Sequence, residues 1–349
     1  HHLLPIFFLF IILGNFVFNF QSHDFSKNYF SQNLVVDGLS QLPPNALAIT
    51  TSHTFYFGSS YEQLVSNRFT DIKLLYFPNE GNRDAEKYHP ELFLSNPNED
   101  FVTKVTNNSD LKNIQKFTAE KYILEVIARN LDKPVFILQG VQEELFFNYL
   151  KAYLIPHGLW WQISADSISP DHTEQNLALF QNLKNEQIRV SSLHQYQQQR
   201  EALTFAVSYH SIGITLAKEG KYDKALEFLK KSLEVDNQNQ NVKNEIALID
   251  KIKTEEEALE DLVSEKNKDK LVELGSNLVT IGNYKSAVNV FLRAISIDPD
   301  DGRLYTNAAS SYALMGDKEH ALEFYKKALE LDPNLDLAKK GLEVLTNQE

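Results

Sequence analysis

Apolar positions recur every three to four residues through the last third of the chain, and two stretches there, VELGSNLVTIGNYKSAVNVFLRAISIDPD (272–300) and YTNAASSYALMGDKEHALEFYKKALELDPN (305–334), carry the same punctuation. Gly282 and Gly316 are 34 residues apart, and so are Ala287 and Ala321, Ala294 and Ala328, and Pro299 and Pro333. A helical apolar period interrupted at a constant step predicts stacked antiparallel helix pairs. Each interruption has a physical reason. A glycine at 282 or 316 can take the left-handed conformation that ends a helix, and Pro299 or Pro333 prevents the second helix from running on. Small residues at Gly275, Ala309, Ala287 and Ala321 let the two helices of a pair approach closely, with Phe291 and Tyr325 filling the space toward the next pair.

These residues resemble the tetratricopeptide (TPR) family. An earlier copy, YHSIGITLAKEGKYDKALEFLKKSLEVDN (209–237), keeps Gly213, Gly220, Tyr222 and Ala225 and departs at Leu229, Ser232 and Asn237. From Gly220 to Gly282 is 62 residues, which leaves 28 after one period of 34. A shortened hairpin is expected there, with NVKNEIALIDKI (241–252) as one helix and EEEALEDLVSEK (255–266) as the next turn or helix. Beyond Pro333, LDLAKKGLEVL reads as an amphipathic cap with Leu337, Leu342 and Leu345 near one face.

The opening pattern is different. Residues 3–20, LLPIFFLFIILGNFVFNF, form an uncharged run with no helical period, long enough to cross most of a hydrocarbon core. It is expected to be a membrane helix, the last span of a truncated protein: no Lys or Arg precedes it and no small-x-small cleavage pattern comes after it, as a signal peptide would require, and the single methionine is Met315. Lys27 is the only basic residue close behind the run, which points to an extracytoplasmic side for the rest of the chain.

Between Tyr29 and Ser164 short apolar runs alternate with helical stretches, which predicts an α/β layer domain with a largely parallel sheet. Strands are expected at ALAITT, DIKLLYF, PVFILQ and GLWWQIS, and helices at YFSQNLVVDGLSQL, FGSSYEQLVSNR, TAEKYILEVIARN and EELFFNYLKAYL, with 78–100 as an irregular loop. The fold class is therefore α/β plus all-α. The expected domains are a membrane helix (1–22), an extracytoplasmic α/β domain (23–165), a helical linker (166–204) and TPR-like repeats with a capping helix (205–349). The segments LPPNALAITTSHTFYFGSSYEQLVSNRFTDIKLL, KPVFI and LIPHGLWWQI, within residues 16–163, resemble the transmembrane-protein-260-like family of protein O-mannosyltransferases, polytopic GT-C membrane glycosyltransferases. That resemblance implies sugar-transfer chemistry in spans and loops upstream of His1, and a non-catalytic C-terminal region here. The family's acidic residue after the first strand is replaced by Ser52-His53.

Composition narrows the chemistry. With no cysteine in 349 residues, disulfides, zinc-thiolate sites and thiol nucleophiles are excluded. A net charge of −13 argues against nucleic acid and anionic lipid and is compatible with a basic partner segment. The ten histidines show no HExxH spacing, and GxGxxG, GxxxxGK and GxSxG strings are absent, so neither a metal nor a cofactor is expected. Strand ends in open α/β sheets make Thr51, Ser52, His53 and Gln139 a candidate ligand loop; the competing reading is helix capping by Ser52 or Thr54 with His53 facing solvent. A hydrolase using His53 with Asp166 or Asp171 is a third class. Trp160 and Trp161 point to opposite faces of a strand, so at least one belongs to the core. The partner expected instead is a protein or peptide, held in a groove lined by the first helix of each repeat: His210, Ile214 and Ala217, then Val272, Ser276 and Val279, then Arg303, Thr306, Asn307 and Ser310. Of the Lys, Asn and Arg set with which some TPR proteins grip a terminal carboxylate, only Arg303 and Asn307 match.

Overall fold

The structure is a computed structural model that describes residues 30–76, 90–106, 119–139, 150, 153–165, 173–181, 183 and 196–346. The chain divides into two compact units, the first built mainly from residues up to 168 and the second mainly from 202 onward.

In the first unit the described elements are α1 (Phe30–Ser40), β1 (Leu47–Thr50), α2 (His53–Leu64), β2 (Lys73–Tyr76), a 3-10 turn at Pro90–Phe93, α3 (Glu99–Thr106), α4 (Ala119–Arg129), β3 (Val135–Leu138), β4 (Leu154–His157) and β5 (Trp160–Ile163). The sheet order is β2-β1-β3-β5-β4. β1 pairs in parallel with β2 and β3, whereas β5 runs antiparallel to both β3 and β4. The sheet is thus mixed, which corrects the largely parallel expectation. The reason lies in LIPHGLWWQI. Its first four residues form β4, a strand beyond the four expected, and β4 is the edge strand, where Pro156, which lacks an N–H donor, is tolerated. Gly158, with φ +59°, turns that edge back onto β5 as a hairpin. The described part of the loop expected over 78–100 also holds order: Leu92 in the 3-10 turn is buried, and α3 begins at Glu99. The expected helix 143–154 lies mostly outside the described residues, as do the apolar run 3–20, Asp166 and Asp171. Among the described residues no helix is long and apolar enough to cross a membrane.

Period-two alternation gives both sheet faces a cover. Leu47 and Ile49 of β1, Val135 and Ile137 of β3 and Ile163 of β5 pack with Phe101, Val105, Ile123 and Ile127 from α3 and α4, and Trp161 lies partly buried against the same cluster. Trp160 takes the other face. It is fully buried, its indole N–H donates to the Gly38 carbonyl of α1 at 2.8 Å, and its ring meets Phe55 of α2 edge-on at 5.2 Å. A Cβ on Gly38 would lie 2.6 Å from the Phe55 ring, so α1 and α2 can meet over Trp160 only with glycine there.

The second unit contains most of α5 (Thr173–Leu179) and of α6 (Tyr196–Lys218), followed by α7 (Tyr222–Val235), α8 (Gln240–Glu257), α9 (Leu259–Ser264), α10 (Lys268–Ile281), α11 (Tyr284–Ile297), α12 (Gly302–Met315), α13 (Lys318–Leu331) and α14 (Asp336–Thr346). Gly220, Gly282 and Gly316 have φ of +75°, +83° and +87°, and each helix end closes in the same way, with Lys221, Asn283 and Asp317 amides bonding back to Leu216, Leu278 and Tyr312 carbonyls at 2.9 Å. Asn283 and Asp317 then cap the next helix through Ser286 N and His320 N. α11 and α13 stop at Ile297 and Leu331, two residues before Pro299 and Pro333. The shortened hairpin is present as α8 and the six-residue α9.

The helix crossings depend on one spacing of 16 residues. A Cβ added at Gly213 would be 2.9 Å from Leu229, and one at Gly275 would be 2.5 Å from the Phe291 ring. Phe291 therefore packs against the first helix of its own hairpin. Tyr325, sixteen residues after Ala309, does reach forward. It lies 2.3 Å from a Cβ built on Gly341 of α14, and its hydroxyl is 3.0 Å from Ser310 Oγ. In the cap, Ala338, Leu342 and Leu345 join the cluster around Tyr325, whereas Leu337 is 74% exposed. The correction comes from helical phase: positions 338, 342 and 345 share a face that 337 misses by about 100°.

Gly275→Val should destabilise the repeat unit by about 1–3 kcal/mol through overpacking against Phe291, whereas Gly316→Ala, which meets no atom within 4 Å but must keep φ +87°, should cost about 1–2 kcal/mol from backbone strain alone. Urea unfolding followed by circular dichroism measures both. A Gly275→Val loss well below about 1 kcal/mol would refute the close crossing.

Candidate functional site

The first turns of α10, α12 and α14 enclose a cleft of about 550 Å³. It exists because each helix begins one repeat after the last, so residues 34 apart fall in line: Asp269, Arg303 and Leu337 share one phase, as do Val272 and Thr306. Val272, Leu304, Leu335 and Leu337 supply its apolar lining. Leu304 is buried, whereas Leu337 is exposed at the margin. Asn307 and Asn334 add amide donors and acceptors.

The charges of the cleft are organised around Asp301. Its carboxylate accepts from the Arg303 amide at 3.1 Å, capping α12, and from the Arg303 guanidinium at 2.9 and 2.7 Å. Lys268 Nζ donates to Asp301 at 3.3 Å and to Asp298 at 2.8 Å. The Arg303 hydrogen bond holds the Asp301 carboxyl down to about 2, against a usual 3.8. In return, Asp301 raises Arg303, and Asp298 followed by Asp301 raises Lys268. Both cations of the cleft are thus matched internally. Asp269 and Asp336, in the first turns of α10 and α14, line the same cleft and take part in no ion pair among the described residues.

Of the residues expected to line a groove, Val272, Arg303, Thr306 and Asn307 come together here. Thr306 is buried, and its hydroxyl donates to the Gly302 carbonyl of its own helix at 3.1 Å, so it contributes surface rather than a donor. Ser276 and Ser310 lie one turn further on and donate back to the Val272 and Thr306 carbonyls at 2.8 and 2.9 Å. Val279 is half-buried on α10, outside the cleft. His210 and Ile214 are half-buried on α6, where His210 Nε2 meets Glu245 of α8 at 2.7 Å and ties the first hairpin to the shortened one; Ala217 is fully buried. Sequence reasoning misses Lys268, Asp269, Asp301, Leu304 and 334–337. Their signal is the 34-residue step itself, carried forward into the capping helix.

In the first unit two residues of the expected ligand loop, Ser52 and Gln139, make structural bonds. Ser52 Oγ accepts from Phe55 N at 3.1 Å as the cap of α2, and the Ser52 amide donates to Thr50 Oγ1 at 3.0 Å. Thr51 is half-buried between them, and His53 opens α2. Gln139 is fully buried, and its Nε2 donates to the Gly158 and Trp160 carbonyls at 3.1 and 2.7 Å, holding the β4–β5 hairpin. Among the described residues no group of His, Asp and Glu is arranged to hold a metal ion.

Comparison with known proteins agrees with the repeat geometry. Tetratricopeptide repeat models match residues 206–239, 271–301 and 302–335, so the C-terminal region carries tetratricopeptide repeats. Among curated proteins, the chain is 36% identical over 62 residues to small glutamine-rich tetratricopeptide repeat-containing protein 2 of Mycosarcoma maydis, a match covering 18% of each chain. It is 30% identical over 125 residues to Hsp70-Hsp90 organizing protein 1 of Glycine max, covering 35% of this chain. The chain spans 18% and 22% of the lengths of these two relatives. Among solved structures, the first TPR of Spaghetti bound to an HSP90 peptide aligns at 17% identity over 41% of this chain and 92% of that one, with a TM-score of 0.22.

Asp301→Ala, which removes the cap and both cation contacts, should cost about 1–2 kcal/mol, and Asp301→Asn, which keeps a capping oxygen, less than about 1 kcal/mol. Because the folded carboxyl titrates at about 2, below its usual 3.8, its contribution is complete above pH 3.8 and lost as pH falls through about 2. Thermal unfolding from pH 7 to 2 should show the stability gap between the parent chain and Asp301→Asn closing only at the acid end; a gap that closes near pH 5 would contradict the Asp301–Arg303 assignment.

Proposed function

We propose that this chain is a non-catalytic interaction scaffold whose repeat stack receives an extended or helical segment of a partner protein in the cleft between α10, α12 and α14. The observation that carries the reading is the repeated stripe at 269, 303 and 337, which lines an apolar cleft of about 550 Å³, a volume typical of ligand-binding clefts. The name of the Glycine max relative describes it as organizing Hsp70 and Hsp90; the class of activity, holding one protein against another, is the part that carries over to the proposal. No reaction is assigned to the chain.

The finer proposal is a tether. The uncharged run at 3–20 supports insertion into a membrane with the remainder on the extracytoplasmic side. The resemblance of residues 16–163 supports a place in the non-catalytic C-terminal region of an O-mannosyltransferase-like glycosyltransferase. Its test is the complete reading frame, which should show further hydrophobic spans before His1; a frame without them favours a stand-alone membrane-anchored adaptor.

Affinity capture with the chain as bait, followed by mass spectrometry, should recover a reproducible partner, and Val272→Glu should weaken its binding by about tenfold or more by placing a charge on the apolar lining. Equal recovery by Val272→Glu would move the docking surface elsewhere. Deleting residues 3–20 should shift the chain from the membrane pellet to the supernatant after ultracentrifugation, and a deletion that still sediments with membranes would remove the tether.

A further inference from the structure

The electrostatics of the cleft extend the reading to the chemistry of its occupant, a step that rests on the docking function proposed above. We infer that the cleft selects a peptide segment carrying an apolar side chain next to a lysine or arginine, and rejects an acidic chain terminus.

The cations of the cleft are already satisfied. Arg303 commits its guanidinium to Asp301 in a two-point contact, and Lys268 is held between Asp298 and Asp301. An incoming carboxylate would have to displace one of these contacts and desolvate itself beside Asp269, Asp301 and Asp336, all of which line the cleft. The helix starts offer it little in exchange. The Lys270 amide of α10 is taken by Asn267 at 3.3 Å and the Arg303 amide of α12 by Asp301 at 3.1 Å. Before α14, the Asn334 amide is taken by Asp332 at 2.9 Å. A lysine or arginine meets the opposite situation. Asp269 on α10 and Asp336 on α14 are exposed and flank the cleft from two sides, so the surplus negative charge lies on its margin, where a long basic side chain can reach it while remaining partly hydrated. Between them, Val272, Leu304, Leu335 and the exposed Leu337 offer the surface an apolar neighbour would cover. An alternative use of Asp269 and Asp336, favourable placement at helix N-termini, is compatible with this role. It gives no reason for Leu337 to stand exposed beside them.

Three fluorescein-labelled peptides of equal length distinguish the possibilities when titrated into the full 349-residue chain in mild detergent and read by fluorescence anisotropy. The first alternates leucine with lysine and ends in an amide, the second replaces each lysine with glutamate and ends in a free carboxylate, and the third replaces each with glutamine. The basic peptide should bind at least about tenfold more tightly than the acidic one, with an affinity that falls as salt rises from roughly 50 to 300 mM. Asp269→Asn with Asp336→Asn should remove most of that preference while the glutamine peptide keeps its affinity. Acidic binding equal to or tighter than basic binding would overturn the inference and leave docking intact. A preference that survives the double substitution would overturn the assignment to Asp269 and Asp336. No binding by any of the three would remove the docking reading and this inference together. Circular dichroism of the double variant, expected to match the parent because both residues are exposed, checks that a lost preference is not lost folding.

Discussion

The close crossing of paired helices, made possible by a missing or minimal side chain facing a large one sixteen residues later, is the constraint on which the repeat unit depends. Gly213 lies under Leu229 and Gly275 under Phe291, and in each case a Cβ would come to 2.9 Å or less. Tyr325 applies the same principle across the next boundary, fitting against Gly341 of the capping helix. The first two contacts set how closely the helices of a pair cross and the third how the capping helix seats on the last pair, so together they bear on where the first turns of α10, α12 and α14 lie. The cleft is a consequence of the packing, and a change at Gly275 or Gly341 is a change in its shape.

How much of the fold is legible in the sequence depends on how local each cause is. The left-handed glycines at 220, 282 and 316 act within one turn and are visible as punctuation, and the 34-residue step is visible because the same local solution recurs. The shortened hairpin is readable from arithmetic on the glycines. Leu337 escapes the pattern because the 34-residue step, which puts it in line with Asp269 and Arg303, places it on the cleft side, about 100° from the face shared by 338, 342 and 345. The sheet is harder. Strand β4 contains Pro156, whose acceptability depends on β4 being at an edge, and that is a property of the assembled sheet.

The same distinction separates the two candidate sites. Ser52 and Gln139 are of the right types for a ligand loop, but their hydrogen-bonding capacity is turned inward, to a helix start and to a hairpin. Arg303 and Asn307 match part of a carboxylate grip by type. In the folded unit the two-point partner of Arg303 is Asp301, two residues before it, which also caps α12. A residue's type announces what it can bind, whereas its neighbours decide what remains to be bound. Here the neighbours leave an apolar surface bordered by Asp269 and Asp336.

Hydrogen–deuterium exchange of the intact chain, with and without a saturating peptide ligand, locates the docking surface directly. The account predicts slowed exchange concentrated in the amides just after Lys268, Gly302 and Asp336, the first turns of α10, α12 and α14, with little change in α7 or α8. Protection confined to α6–α8, or to the sheet of the first unit, would contradict it.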